Sequence, residues 1–453
     1  MLPLQPSSGS GLLTSAGQPS KGNKHSSHQP ETSPDSLARM SSNNVAHSKP
    51  KIVIVGAGLQ GLCVALALSK HGLDCTVLER RPEPIRGASY GNEGKIHLGF
   101  VYALDSSLRT GIEMLRGALS FSPLLDEWCG PLPWHEWKSA GFRYAVMPGS
   151  MAALPALETY YENLRLLLPR VVSDLPIKSS YFGETLGWMW KSATTTLGSP
   201  LNKGIPVASI DTEEVALDTN LFSDALVEII RLRNGITLRC NTRVAAAERL
   251  VSGFGLVLEK PEGTERMVAD VVINCAWTDR IRLDRMVDAA SQDTPLSYRV
   301  KHRIVVRPQH GTRNLMPVTM VQGPYGDVVP YKDGSVYLSW YPECRTYFDK
   351  KPPAQEIHAP SALDAIAKRT LNEMSNMFPD LANAQILSCS PCVIVAEGTR
   401  DVDDPDSELH RRSDSGPRGG NGWWSVDTGK LTLAPLHGEA TAQLVLEELG
   451  LGP

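Results

Sequence analysis

The sequence lacks a long uninterrupted apolar run. The longest candidate near its start, Ile52 to Leu68, is broken by glycines and Gln60, so it reads as strand, turn and helix, and no transmembrane segment is predicted. A charge excess is missing too. Lys and Arg number 45 against 49 Asp and Glu, which argues against nucleic acid as the principal partner. Solenoid or propeller repeats are absent. Cysteines are few, eight in 453 residues, and six are isolated from one another. Cys389 and Cys392 form a lone C-x-x-C with no second pair and no histidines at ligand spacing. They read as unligated thiols, no metal site is expected, and nothing demands an oxidising compartment. Met1 to Leu13 lacks the basic region and apolar core of a signal peptide. The expected location is cytoplasmic; Lys21, Lys24 and Arg39, with few acids nearby, leave organellar import open. Residues 1–49 have no aromatic side chain and few large aliphatics, so they cannot offset the entropy of ordering and are expected as a disordered tail.

From Pro50 onward the composition is that of a globular protein, with 42 % hydrophobic and 21 % charged residues over the whole chain. Lys51–Val55 is a β-branched run suited to a buried parallel strand. Gly56–Gly61 is a turn, Leu62–Lys70 a helix ending before Gly72, and Asp74–Leu78 a second strand followed by Glu79. Helices are predicted over Ser106–Trp128, Ala156–Leu167, Leu221–Arg233, Ala362–Met377 and Glu439–Leu449. Strands are predicted over Ile236–Arg239, Val244–Leu250, Gly255–Glu259 and Arg266–Asn274. Residues 295–345 read as an antiparallel sheet with turns at Tyr325-Gly326-Asp327 and Lys332-Asp333-Gly334, and 401–422 as a surface loop.

The sharpest motif is Gly56-Ala57-Gly58-Leu59-Gln60-Gly61. It follows a strand, opens a helix and precedes an acidic residue at the next strand end. Gly56 permits a tight turn, Gly58 lets the backbone approach a pyrophosphate, and Gly61 lets helix pack on strand. The helix N-terminus then faces the phosphates, and Glu79, with Arg80 beside it, reaches the ribose. The motif alone leaves FAD and NAD both open.

The segment Ala88–Tyr102, with its spacing N-x-G-x-I-H-x-G-x-x-Y, resembles the flavin loop of the D-amino-acid oxidase superfamily, and within it most resembles L-2-hydroxyglutarate dehydrogenase. Val215–Leu221, Ile236–Val244, Asp270–Trp277, Gly398-Thr399-Arg400 and Asp427–Thr432 resemble later segments of the superfamily in the same order. Three departures stand out: Trp277 replaces a glycine, Asp401 a proline and Thr428 a glycine. The bulk of Trp277 forces the chain to swing aside or hinders close approach of a cofactor.

The resemblance implies an α/β fold (α+β in its substrate part): a Rossmann-like FAD-binding domain built from discontinuous segments, plus an antiparallel-sheet substrate domain. The expected division is 1–49 tail; 50–130, 206–280 and 391–453 FAD-binding; 131–205 and 281–390 substrate-binding. It also implies that Ser89, Asn92, Gly94, Lys95 and Ile96 lie in the flavin loop, Val244 at adenine, and Gly429, Lys430, Leu431 and Thr432 in the terminal flavin segment. A lysine there, Lys430 or Lys95, supplies a cation that stabilises a reduced anionic flavin; a surface position is the alternative.

His97 is the expected base, since an imidazole takes an alcohol proton near neutral pH; a histidine satisfied inside the fold or bonded to FAD is the alternative. Arg400 is the expected carboxylate anchor by resemblance, with a solvated loop arginine paired to Asp401 or Asp403 as the alternative. Tyr325, Tyr331, Trp340 and Tyr341 lie on the sheet expected to roof the substrate, where Tyr325 and Tyr341 are expected to touch it; for each of the four an aromatic core position is the alternative. The function expected is an FAD-dependent oxidoreductase removing hydride from a C–N or C–O carbon of a small substrate, such as an amino acid or 2-hydroxy acid. Oxygen or a quinone or carrier is the electron acceptor. An NAD-linked Rossmann dehydrogenase and a non-catalytic flavin-binding scaffold are the rival readings.

Overall fold

A computed structural model describes residues 49–193, 206–289, 295–354 and 359–452. The tail expected over residues 1–49 lies outside these residues except for Lys49. No helix among the described residues is long and apolar enough to cross a membrane.

The first strand, β1 (Ile52–Val55), is buried at every position, as a β-branched run between parallel neighbours must be. It pairs in parallel with β2 (Cys75–Leu78) and with Val271–Asn274. A six-stranded sheet grows outward from these three, in the order Gly416–Gly420, Trp423–Asp427, Val271–Asn274, β1, β2, Ile236–Arg239. Only the Gly416–Gly420 edge runs antiparallel to its neighbour. Helix α1 (Leu59–Lys70) starts three residues earlier than the apolar pattern indicates, because extended Gly58 serves as its N-cap. It is buried on all sides from Leu59 to Leu68, the pattern of a central helix. Helix Ala434–Glu448 approaches it so closely at Gly438 that a Cβ there would stand 2.9 Å from the Cys63 Cβ.

The second large sheet has nine strands drawn from residues 143–212 and 296–397. Its spine is the pairing of Leu296–Arg307 with Gln385–Glu397, a strand the sequence pattern did not reveal. The pairing is antiparallel throughout except where Val318–Val321 runs beside Arg143–Val146. Ile304, Val306, Val328 and Leu338 meet Ile366 and Met374 of helix Pro360–Met377 in a core of their own. Cys389 joins that core, while Cys392, three residues along the strand, faces the other way; both are free thiols.

Several local expectations need correction. The stretch Arg266–Asn274 is two strands in two sheets, divided at Asp270, whose carboxylate accepts the Lys51 N–H at 2.7 Å. The turn expected at Tyr325-Gly326-Asp327 lies earlier, at Gly323–Tyr325. Gly326 begins a strand so close to its neighbour that a Cβ would run into the Ser339 carbonyl oxygen. The loop expected over 401–422 contains the edge strand Gly416–Gly420, turned back on Trp423–Asp427 by Asn421-Gly422, both at positive φ.

Candidate functional site

The end of β1 enters the turn at Gly56, with φ +101°, and a side chain there would press on the Cys275 carbonyl oxygen at 2.7 Å. A Cβ on Gly61 would run into the Gly56 carbonyl oxygen, whereas Gly58 faces open space with only Ser89 Oγ within 4 Å. The turn therefore has one open backbone face, directed into a cavity of about 290 Å³. Glu79 ends β2 beneath it and accepts the N–H groups of Ala57 and Arg81, both at 2.9 Å. Ser89 Oγ accepts the Leu59 N–H at 3.0 Å, so the glycine-rich loop is fastened to the helix start. Asn92 ties that loop to itself through Ala88 O, Ser89 O and Gly94 N.

Gly56, Gly58, Leu59, Gln60, Glu79 and Arg80 line the cavity from the βαβ unit. Ser89, Asn92, Lys95 and His97 line it from the glycine-rich loop, Val244 from the strand Arg243–Arg249, and Gly429, Lys430 and Leu431 from the C-terminal segment. Ala57, Gly61, Gly94, Ile96 and Thr432 stand behind this lining. Ile96 pairs with Val215, and Thr432 Oγ1 accepts the His97 N–H at 2.8 Å. Trp277 lines the cavity too, at φ +52°, with its indole N–H donating to Val393 O at 2.8 Å.

A second cavity of about 140 Å³ adjoins the first. Glu93, Lys95, His97, Lys301, Tyr341 and Arg412 belong to both linings, so the two cavities share one wall. Lys430 belongs to both as well. Tyr325, Tyr102, Arg299 and His410 line the second alone.

The shared wall is dense in buried charge. Lys95, 2 % exposed, bonds Asp327 Oδ1 at 2.9 Å and Thr319 Oγ1, and its ammonium lies 4.5 Å from the Phe142 ring centre. Burial opposes that charge, but Asp327, Glu214 and Glu93 outweigh burial and hold the lysine above its usual range. Lys301 lies 3.4 Å from Glu93 Oε2. Burial works against the Glu93 charge as well, yet Lys301, Lys95 and Lys430 keep it ionised, far below the usual carboxylate range. Lys430 is pulled down to about 8 by burial and by Arg412, Lys301 and Lys95, with Glu93 in partial opposition. Arg412 reaches backbone carbonyls, Gly429 O at 2.5 Å and Val395 O at 3.0 Å, and among the described residues no carboxylate lies within ion-pair distance of it. Burial also lowers the His97 pKa, with Lys430 and Lys95 adding to the effect and Glu214 opposing it, so the imidazole is neutral at pH 7.

Arg400 is not part of either lining. It is about half exposed, near Asp404 and Asp406 at 3.8 and 3.6 Å, so the expectation of a carboxylate anchor there is corrected. Its neighbour Asp401 turns inward to Arg299 and Arg345 Nη1, the latter at 2.7 Å. The arginines lining the second cavity are instead Arg412 and Arg299, which sequence reasoning missed. Tyr331 and Trp340 line neither cavity; Trp340 packs on Tyr325 with ring centres 6.1 Å apart. Missed too were Glu93, Glu214, Lys301 and Asp327. A signal existed for one set: Arg299-Val300-Lys301-His302-Arg303 puts cations at every second position of a buried strand, where each needs a partner.

The family model described as FAD dependent oxidoreductase (DAO) matches residues 51–444. The chain belongs to the FAD-dependent oxidoreductase (DAO) family. Its cofactor is therefore FAD, the choice the glycine motif left open, and the open Gly58 face above Glu79 fits such a dinucleotide. The chain is 41 % identical to D-amino acid dehydrogenase 2 of Ralstonia nicotianae over 54 residues, 12 % of this chain and 13 % of that protein. With D-amino acid dehydrogenase 3 of Mesorhizobium japonicum it shares 37 % over 92 residues, 19 % and 21 % of the two chains. The match thus spans between an eighth and a fifth of these curated relatives. In fold the oxidoreductase is similar to glycine oxidase from Geobacillus kaustophilus, with TM-score 0.64 and 16 % identity over 88 % of this chain and 95 % of that one. It is similar also to L-α-glycerophosphate oxidase from Mycoplasma pneumoniae with FAD bound, at TM-score 0.56 and 18 % identity over 88 % and 95 %.

Proposed function

We propose that this enzyme removes hydride from a C–N or C–O carbon of a small carboxylate, an amino acid or a 2-hydroxy acid, bound in the second cavity. One observation carries the reading: the dinucleotide cavity and the cationic second cavity share the wall formed by Glu93, Lys95, His97, Lys301, Arg412 and Lys430. FAD held in the first cavity would supply the hydride acceptor. Gly56, Gly58, Leu59 and the α1 N-terminus hold its phosphates and Glu79 its ribose. Val244 would hold its adenine, and Gly429, Lys430 and Leu431, which line the same cavity, would meet its ring.

Arg412 takes the place first expected of Arg400 and holds the substrate carboxylate. Its guanidinium is anchored by carbonyls alone and keeps its charge available for a ligand. His97, neutral at pH 7 and on the shared wall, accepts the proton from the substrate hydroxyl or amine. Lys430 sets a positive charge beside the ring, and Tyr341 and Tyr325 close the side of the cavity. Oxygen or a quinone or carrier reoxidises the enzyme.

The test is anaerobic addition of amino acids and 2-hydroxy acids, each stereoisomer separately, to the yellow FAD-loaded protein. Bleaching by one class is the expected result. Bleaching by neither class, with the FAD retained, overturns the reading.

A further inference from the structure

We infer that Glu214 is the positioning residue of His97: its carboxylate holds the imidazole in the Nδ1–H form and leaves Nε2 as the proton-accepting atom on the shared wall. The role of His97 as base rests on the reading above; the form of the imidazole does not. The pairing of Lys95–Ile96 with Val215–Ala216 is antiparallel, with Lys95 opposite Ala216 and Ile96 opposite Val215. The next pair in that register is His97 and Glu214. Backbone pairing thus aligns the two side chains before any side-chain contact forms.

Glu214 is wholly buried. A buried carboxylate needs donors, and it has them: the Leu98 N–H at 2.6 Å on Oε2 and the Tyr144 hydroxyl on Oε1. His97 Nδ1, buried and without a hydrogen bond to any described residue, faces the same Oε1 at 3.5 Å, within ion-pair distance. A lone pair at Nδ1 would repel that oxygen, so the proton belongs on Nδ1. The His97 main chain is fixed by Thr432, and the ring by the edge of Tyr102, with ring centres 6.1 Å apart. Nε2 then points toward Glu93 Oε1, 4.0 Å away, which Lys301 engages from the other side. Lys95 and Lys430 also act on the ring, and both oppose its protonation. The two carboxylates favour the imidazolium, the two lysines the neutral ring, and Glu214 alone faces Nδ1.

The experiment is histidine-selective ¹⁵N NMR on the full-length, FAD-loaded protein, with the His97 signals identified by their loss in His97→Gln. The expected result is the Nδ1–H tautomer in the neutral ring. Glu214→Gln keeps the shape and the acceptor oxygen while deleting the charge, and lowers the His97 titration midpoint by about one pH unit. The Nε2–H tautomer, or an unmoved midpoint, overturns the inference. Should Glu214→Gln lose its fold or FAD, Tyr144→Phe reads the same contact from the other direction. Without the phenol, Oε1 turns wholly to His97 and the midpoint rises.

A second readout is anaerobic flavin reduction by the substrate that bleaches the wild type. Glu214→Gln lowers the limiting rate about 10–100-fold with KM nearly unchanged and moves the acidic limb of the pH profile down. It costs nothing further in a His97→Gln background; independent, additive losses overturn the inference. A wild type that bleaches with no substrate refutes the functional reading, while the NMR result still decides the role of Glu214.

Discussion

Around Gly56–Gly61 the chain offers a ligand little but backbone, shaped by Gly56 and Gly61, which have no room for a side chain. A short distance away, on the shared wall, it offers ammonium, guanidinium, carboxylate and imidazole groups from four separate stretches of chain. The first region recognises what every dinucleotide carries, a pyrophosphate and a ribose. On the proposed function, the second meets what is particular to the substrate. The difference is also energetic. The cradle depends on close packing, so one added carbon disrupts it. The wall depends on charge compensation, so one removed partner disrupts it.

The comparison is most severely tested at Lys95. Lys95→Met leaves Asp327 buried with Thr319 and Ser339 as partners but no cation, and is expected to destabilise the fold by about 3–5 kcal/mol in urea unfolding. Adding Asp327→Asn should restore a large part of that loss; a double variant as unstable as the single one would show that packing, not charge, governs the wall. In the cradle, Gly61→Ala should cost about 1–3 kcal/mol and release FAD, because helix α1 must move away from Gly56. Full flavin content after gel filtration would contradict it.

Arg412→Leu should raise KM for a carboxylate substrate about 10–100-fold, the worth of a charge-assisted hydrogen bond, with flavin content retained. The Lys430 ammonium, pulled down to about 8, loses its proton as pH rises through that value. Carboxylate binding, followed by perturbation of the flavin spectrum, should therefore weaken between pH 7 and 9, and Lys430→Met should flatten that profile. The smallest effect belongs to Arg400→Ala, within about 0.5 kcal/mol in stability and without change in KM, since the side chain is half exposed and paired only with its own loop.

The two regions differed in legibility for the same reason. Strand, glycine turn, helix and the acidic strand end are contiguous from Lys51 to Glu79, so their chemistry is written in one short segment. The wall is assembled by pairing. Glu214 reaches His97 through the register of a two-residue ladder, and Lys301 reaches Glu93 because a long strand passes under the loop. Neither adjacency has a local sequence mark. Arg400 shows the converse failure: the motif that contains it is in the expected place in the chain, but its side chain points to solvent, and the neighbouring Asp401 turns inward instead. Helix starts came out late at Leu62 and Leu221 because the caps, Gly58 and Asp218, precede the apolar pattern; Asp218 accepts from Asn220 N and Leu221 N.

The strand Leu296–Arg307 has a further consequence for how this enzyme can change. Arg299, Lys301 and Arg303 are displayed on one side of it at steps of about 7 Å. Exchanging one of them retunes a single position, as on a keyboard. Inserting or deleting one residue upstream turns all three to the opposite face at once and puts their strand neighbours, Val300 and His302 among them, in their place. On the proposed function, new substrate preferences are therefore reachable by substitution at Arg299 or Lys301, which line the second cavity, while a change in the strand's length silences the whole row.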